Sequence, residues 1–134
     1  MKFRGEYSFL SNFHDVGMLE YNGLVYKNAE AAFQAAKCKN NSDKEVFTKM
    51  TGTEAKRNGR KVVMREDWPH IKVLVMYRIL LKKFSSEPMR TMLLQTAGVE
   101  LVEENTWGDT FWGVCGGKGL NMLGKLLMQV RSEV

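Results

Sequence analysis

The chain has 134 residues, which is enough for one domain with its own hydrophobic core. An apolar share of 44% and a charged share of 26% are ordinary for a globular protein and exclude a disordered chain. The formal net charge of +5 favours acidic partners such as phosphates, nucleotides or nucleic acid, and no apolar run approaches the roughly 20 residues of a membrane span.

The first half of the chain begins without a regular pattern over residues 1–17. Residues 19–26 are typical of a β-hairpin, because Asn22-Gly23 is the preferred two-residue turn between β-prone arms. Asn28 is a favourable helix cap and predicts a helix that runs to about Lys39.

Capping residues, prolines and glycines divide the remainder into further helices. These helices run from Ser42 to near Gly52, from Thr53 to about Met64, from Asp67-Trp68-Pro69 onward, from Ser86 to Gly98, and from Leu120 to about Ser132. Residues 99–103 alternate like a short strand, and residues 105–119 form a long loop. We therefore predict a compact, helix-rich α+β fold with a small antiparallel β element, in a single domain over residues 1–134.

The predicted helix after Asn28 carries a polar stripe. Glu30, Phe33, Gln34 and Lys37 fall on one helical face because their spacings are i, i+3, i+4 and i+7. An acid, an amide and an amine in one stripe fit a reaction face. A solvated face that ends in a lysine explains the same spacing, and spacing alone does not choose between them.

A second cluster is Trp107-Gly108-Asp109-Thr110-Phe111-Trp112-Gly113. Aromatic side chains on a loop suit stacking against a base or a sugar. The alternative is that these rings fasten the loop to the core. We expect one ring to face a ligand and the others to face the core.

Two segments suggest anion binding. Glycines over residues 113–119 precede the last predicted helix, where backbone N–H groups and the helix dipole favour an anion. This segment is not a P-loop, because Lys118 is followed by Gly119. Residues 56–61 hold four cations in six positions, which fits either phosphate contact or an exposed basic face.

The two cysteines, Cys38 and Cys115, lie far apart and belong to no cluster with metal-ligand spacing. This argues against a structural zinc site, and it favours free thiols in a reducing compartment over the alternative of one disulfide. Residues 1–6 lack the apolar core of a signal peptide. We therefore predict a cytoplasmic protein.

Taken together, these segments resemble the YbiA-like, or NADAR, family in order and spacing. The segments that carry the resemblance are Phe9-Leu10-Ser11-Asn12-Phe13, the Glu30–Lys37 stretch, Lys56 with Gly59-Arg60, the Trp68 region, and residues 107–128. The last of these is the most specific, and the resemblance runs from about Phe9 to Arg131.

The resemblance implies an N-glycosidase that requires no metal or other cofactor. Some members hydrolyse ribosylamino-pyrimidine phosphates, early intermediates of riboflavin synthesis, and others remove ADP-ribose from guanine. The expected partner is therefore a phosphorylated ribosyl small molecule or ADP-ribosylated guanine, possibly in DNA, with no membrane and no protein partner implied. This chain is short at its N-terminus and carries a glycine-rich stretch at 116–119, so the choice of substrate stays open.

Carried over by position, Glu30 matches the family's essential acid, and Trp68, Asp109 and Trp112 match pocket residues. Lys37 matches a lysine on the same helix face. We predict Glu30, Lys37 and Asp109 as catalytic. The predicted substrate-binding residues are Asn12, Phe13, Arg60, Trp68, Trp107, Trp112, Gly119 and Asn121.

Two mechanisms fit these residues. A carboxylate of Glu30 or Asp109 stabilises an oxocarbenium-like state or activates water. Alternatively, the Lys37 amine displaces the base and forms a Schiff base that water resolves. The competing functions are a non-catalytic reader of nucleotides or ADP-ribose, and a small nucleic-acid-binding protein.

Overall fold

Five α-helices, three short 3-10 helices and two small β-pairs make up the fold in the computed structural model, which describes residues 1–134. Contacts divide the chain into two units, one of residues 12–83 and one of residues 1–11 with residues 84–134. The prediction of a helix-rich α+β fold is confirmed.

The helices are α1 (Ala29–Lys37), α2 (Gly52–Gly59), α3 (Trp68–Phe84), α4 (Met89–Leu94) and α5 (Met122–Glu133). The strands are β1 (Leu19–Tyr21), β2 (Leu24–Tyr26), β3 (Glu104–Asn105) and β4 (Val114–Cys115). The 3-10 helices cover Gly5–Leu10, Asn41–Asp43 and Glu45–Lys49. No helix of the chain is long and apolar enough to cross a membrane.

The unit of residues 12–83 begins with the hairpin that the sequence predicts. Strands β1 and β2 pair antiparallel, with Leu19 opposite Tyr26. Asn22 and Gly23 supply the positive φ angles, 50° and 87°, that a two-residue hairpin turn requires. The buried side chains of the hairpin, Leu19, Tyr21 and Tyr26, form one wall of the core.

Helix α1 is the centre of this unit. The Asn28 side chain accepts a hydrogen bond from the Ala31 N–H at 2.8 Å, which confirms the predicted cap. Five alanines of α1 are buried, and their small side chains let α2 and the hairpin pack against it. The helix ends at Lys37, because Cys38 adopts an extended conformation and pairs with Met64.

Two predicted helices of this unit are wrong in extent. Residues 41–49 form two 3-10 helices in place of an α-helix, and a capping box lies at Thr51 and Glu54. Thr51 therefore starts α2. Helix α2 ends at Gly59, short of the predicted Met64, since residues 63–64 pair with residues 38–39 after α1.

Helix α3 begins at Trp68 with a proline in its first turn, as predicted. Its side chains Met76, Ile79 and Leu80 are fully buried. Lys83 near its end is also buried, and this burial lowers the pKa of its amine to about 7.

The unit of residues 1–11 and 84–134 differs more from the prediction. Residues 5–10, expected to be irregular, form a 3-10 helix that packs on α4. Helix α4 stops at Leu94 rather than Gly98. The strand predicted over residues 99–103 is absent, and β3 pairs in parallel with β4 instead. Helix α5 confirms the predicted amphipathic end of the chain.

Candidate active site

Glu30 lies in the first turn of α1, where its backbone N–H donates to the carbonyl of Asn12 at 3.0 Å. Its side chain is only 8% exposed, so the solvated-face interpretation is wrong for this acid. Its place in the first turn puts the carboxyl group beside the positive end of the helix dipole. Glu30 is thus a buried acid held at a defined place by the backbone of residue 12.

Gln34 contacts this acid from the next turn of α1. Its Nε2 donates to Oε1 of Glu30 at 2.8 Å, one helical turn away. The Gln34 side chain is 9% exposed, and its Oε1 is buried without a hydrogen-bond partner. The amide lies against Gly59 of α2, where an added Cβ would stand 2.0 Å from Oε1.

Lys37 lies two turns along α1 from Glu30. Burial is the main cause that lowers the pKa of the Lys37 amine below its usual value. The charges of Cys38 and Glu30 partly oppose this shift, and the charge of Arg60 adds to it. A lowered pKa increases the share of neutral amine, which is the nucleophilic form. Arg60 is exposed at the end of α2 and close enough to act on Lys37 electrostatically.

Asn12 and Phe13 lie beside the start of α1. Besides its carbonyl bond to Glu30, Asn12 donates from Nδ2 to the sulfur of Met76 at 3.6 Å, and its buried Oδ1 accepts no hydrogen bond. Phe13 is 41% exposed and lies over Gly52, where an added Cβ would come within 2.8 Å of it. Asn12 therefore lies beside Glu30 through its backbone, while its side chain keeps a buried acceptor near Met76.

Trp68 supports the same helix face from α3. Its ring is buried and lies against Phe33 of α1, with ring centroids 4.9 Å apart and planes tilted by 53°. The structure thus gathers six sequence-predicted site residues around α1. They are Asn12, Phe13, Glu30, Lys37, Arg60 and Trp68.

The other predicted site residues belong to the second unit, around the start of α5. Asp109 forms a tight local turn, since its Oδ1 accepts hydrogen bonds from the N–H groups of Phe111 at 3.1 Å and Trp112 at 2.9 Å. The Asn105 amide bonds both the N–H and the carbonyl of Asp109. This acid is therefore fixed in orientation by its own loop.

The aromatic rings of this loop divide by exposure. Trp107 is 61% exposed and is followed by Gly108 with φ of 84°. Phe111 and Trp112 are half-buried and pack edge to face, with centroids 4.9 Å apart. Trp107 is therefore the ring that the loop presents to solvent.

The glycine-rich segment has a structural use that the sequence did not reveal. Gly116 and Gly117 occupy a two-residue turn closed by mutual backbone bonds between Cys115 and Lys118. Gly119 approaches the backbone so closely that an added Cβ would stand 2.2 Å from the Gly113 carbonyl oxygen. This contact explains the glycine, and binding of substrate by it stays a prediction.

The backbone N–H groups at the start of α5 already donate hydrogen bonds within the protein. The N–H groups of residues 120–123 donate to the carbonyls of residues 110–113, at 2.8 to 3.3 Å. The helix N-terminus therefore binds the Trp-rich loop and not an anion, contrary to the expectation from the glycines.

Asn121 acts as a structural link. It is 8% exposed, with φ of 51° in the left-handed region. Its Nδ2 donates to the Leu101 carbonyl and its Oδ1 accepts from the Glu103 N–H, both at 3.0 Å. Contact between Asn121 and substrate stays a prediction.

The molecule offers no metal centre, and its cavity lies away from Glu30. No group of three or more His, Cys, Asp or Glu side chains lies together in the arrangement that holds a metal ion. A cavity of about 460 Å³ lies between the hairpin and the 3-10 segments, and Tyr21, Tyr26, Ala36 and Lys44 are among its lining. Ala36 is turned by about 120° around α1 from Glu30, so this cavity opens on a different side of the helix.

Sequence reasoning placed Gln34 on the polar face but did not include it among the site residues, and it missed Asn105. The i, i+4 spacing of Gln34 from an acid was a usable signal. Nothing in the sequence predicts a role for Gly59 in the basic segment, because that role depends on its contact with Gln34 of another helix.

Comparison with known proteins gives a family. The model of the NADAR domain matches residues 2–134. An N-glycosidase of Nostoc punctiforme is 36% identical over 137 residues, which cover 96% of this chain and 86% of that protein. The maize chloroplastic riboflavin biosynthesis protein PYRR is 39% identical over 145 residues, covering 92% of this chain but only 23% of the maize protein.

A solved structure agrees with these matches. The NMR structure of the Escherichia coli protein YbiA has a TM-score of 0.84 and 33% sequence identity, covering 99% of this chain and 83% of that one. The resemblance drawn from the motifs is confirmed, and the relatives named N-glycosidases support the prediction of a hydrolase acting on N-glycosyl bonds.

Proposed function

Because this chain belongs to the NADAR domain family, we propose that it hydrolyses the N-glycosidic bond between a phosphorylated ribose and a base. The observation that carries the proposal is the face of α1. There, a buried carboxylate, Glu30, shares one helical stripe with a partly desolvated amine, Lys37. A buried carboxylate on the same stripe as an amine suits a reaction that develops positive charge.

The chemistry requires stabilisation of a sugar cation. When the bond from C1 of the ribose to nitrogen breaks, its electron pair leaves with the base and the ring acquires oxocarbenium character. An ionised Glu30 stabilises this charge in a site from which water is largely excluded. Glu30 then takes a proton from the attacking water, whose oxygen bonds to C1, and that proton passes, directly or through solvent, to the leaving nitrogen, which regenerates the carboxylate.

Lys37 supplies a second route with the same products. A neutral Lys37 amine bonds to C1 of the ring-opened ribosylamine, the base leaves with its nitrogen, and an imine links the sugar to the enzyme. Water then hydrolyses the imine and regenerates the amine. The burial that lowers the pKa of Lys37 supports this route because it increases the neutral fraction.

The phosphate of the substrate is assigned to the basic end of α2. Arg60 is exposed there and acts electrostatically on Lys37, so an anion bound by it would lie near the reacting stripe. In the other unit, taken by itself, Asp109 stays predicted as catalytic and the exposed Trp107 as a stacking surface.

Two substrates fit this proposal. One is ADP-ribosylated guanine, in DNA or as a nucleotide, and the other is a ribosylamino-pyrimidine phosphate of riboflavin synthesis. The maize relative is named for riboflavin biosynthesis, which supports the second for that protein. Both carry a phosphorylated ribose joined to nitrogen, so the same residues serve either one.

The test is to incubate the purified protein with each substrate separately and to measure released base by chromatography. We expect turnover of at least one substrate, no loss in EDTA, and a lower rate at high salt when substrate is subsaturating. Tight binding of ADP-ribose without release of base from either substrate would refute catalysis. That result would support the alternative, a non-catalytic reader of ADP-ribose or nucleotides.

A further inference from the structure

We infer that Gln34 is a positioning residue for the catalytic carboxylate, and that Gly59 is a glycine because it must admit the Gln34 amide between α1 and α2. This inference rests on the proposed function, since it assigns a purpose to the surroundings of Glu30. It concerns two residues that do not need to touch the substrate themselves.

A hydrogen bond joins Gln34 to the carboxylate of Glu30. Gln34 Nε2 donates to Glu30 Oε1 at 2.8 Å, and both side chains are more than nine-tenths buried. A buried amide that donates to a carboxylate favours its ionised form and restricts rotation of the carboxylate plane. Water at an exposed site would supply such a donor without a fixed direction, whereas Gln34 supplies it in one direction.

The Gln34 amide has one favoured orientation toward Glu30. With Nε2 on Glu30, the Oε1 of Gln34 must point away, and it does so without a hydrogen-bond partner of its own. The reverse orientation would place the amide oxygen against a carboxylate oxygen, and two acceptors repel each other. The ionised acid therefore selects this orientation, although a buried acceptor is left unpaired at a cost.

Gly59 of α2 leaves the space that the Gln34 amide occupies. An added Cβ there would lie 2.0 Å from Oε1 and 2.5 Å from Cδ of Gln34. No side chain fits at this position unless the Gln34 amide moves, and any such movement disturbs the bond to Glu30. Helix α2 packs directly on α1, so the glycine fixes the distance at which the amide is held.

A change at Gln34 should reduce turnover more than substrate binding. Gln34→Met keeps the length and approximate volume of the side chain but removes the donor. We expect kcat to fall by about 10- to 100-fold, as a misplaced catalytic group does. KM should stay close to that of the wild type, while the thermal midpoint should fall because a buried carboxylate loses its donor. A merely structural role would not separate kcat from KM in this way.

Gly59→Ala provides an independent variant. The new methyl group should displace the Gln34 amide, lowering both kcat and the thermal midpoint, although alanine is otherwise favourable in a helix. Adding Gln34→Ala removes the displaced atoms, so the double variant should regain the thermal midpoint of Gln34→Ala alone. Its kcat should stay low and the two effects on kcat should not add. Thr53→Ala, on the exposed side of α2, is the control that should change neither quantity.

NMR of the Gln34 amide and the turnover of Glu30→Gln distinguish a failure of this inference from a failure of the proposed function. In 15N-labelled protein, the Gln34 side-chain amide resonances should shift in Glu30→Gln and in Gly59→Ala but not in Thr53→Ala. Loss of activity in Glu30→Gln with wild-type kcat in Gln34→Met would overturn this inference and leave the proposed function intact. Unchanged Gln34 resonances in Glu30→Gln would also overturn it. Wild-type turnover in Glu30→Gln would overturn the proposed role of Glu30 and this inference together.

Discussion

Replacing Glu30 with glutamine is the most direct perturbation of the proposed site. The side chain of Glu30 is 8% exposed and accepts a hydrogen bond from Gln34 at 2.8 Å. Glutamine has the same shape and keeps an oxygen that accepts this bond. The change therefore removes the negative charge and leaves the packing around α1 in place.

The expected magnitudes differ for folding and for turnover. Loss of charge near the N-terminus of α1 costs about 0.3–1 kcal/mol through the helix dipole, and the cost of burying a charge disappears at the same time. Stability should therefore fall by no more than about 1 kcal/mol. Turnover should fall by about 100-fold or more, as expected for a lost acid–base or electrostatic role.

The assay is steady-state release of base, measured beside urea unfolding of the same preparations. Glu45→Gln is the matched control, because Glu45 is an exposed acid in a neighbouring 3-10 helix. The control should keep wild-type turnover. A folded Glu30→Gln variant with the kcat of the wild type would refute the assignment of Glu30 as the catalytic carboxylate.

Three further predictions follow from single side chains. Lys37→Arg keeps the charge but cannot form an imine, so turnover should fall by about 100-fold or more. Borohydride should fix the sugar at Lys37 in the wild type, and an active Lys37→Arg enzyme with no adduct would favour direct attack by water. Asn121→Ala leaves a carbonyl and an N–H unpaired, so it should destabilise by about 2–4 kcal/mol in urea unfolding, and a loss below about 1 kcal/mol would contradict the structural role. The pKa of Lys83 falls from 10.5 to about 7 on burial, so between these values the unfolded chain binds a proton that the folded chain lacks. The free energy of unfolding should therefore rise with pH across this window in the wild type, and an equal rise in Lys83→Met would refute that origin.

Local signals predicted the elements that depend on local interactions. The Asn22-Gly23 turn and the Asn28 cap each involve residues close in sequence, and both are found where expected. The strand predicted over residues 99–103 is wrong, because its backbone is held by the Asn121 side chain about 20 residues away. An alternating pattern carries no information on such a distant partner.

The same distinction applies to the candidate site. The family motifs identified Glu30, Lys37 and Asp109 as candidates, and the structure fixes the surroundings of each one. The glycines before α5 suggested an anion site, yet the N–H groups of residues 120–123 are used by the Trp-rich loop. Whether a helix N-terminus is available depends on long-range pairing, which composition does not reveal.

Burial is what separates the two interpretations of the polar stripe on α1. The spacing of Glu30, Gln34 and Lys37 fits a solvated face as well as a reaction face, but Glu30 and Gln34 are 8% and 9% exposed. A chain selected only for folding would place apolar residues at such positions, because a buried carboxylate needs a dedicated partner. Here that partner is an amide that leaves its own oxygen unpaired and requires a glycine on the next helix. Three successive departures from good packing at one acid are best explained by the chemistry that the acid performs.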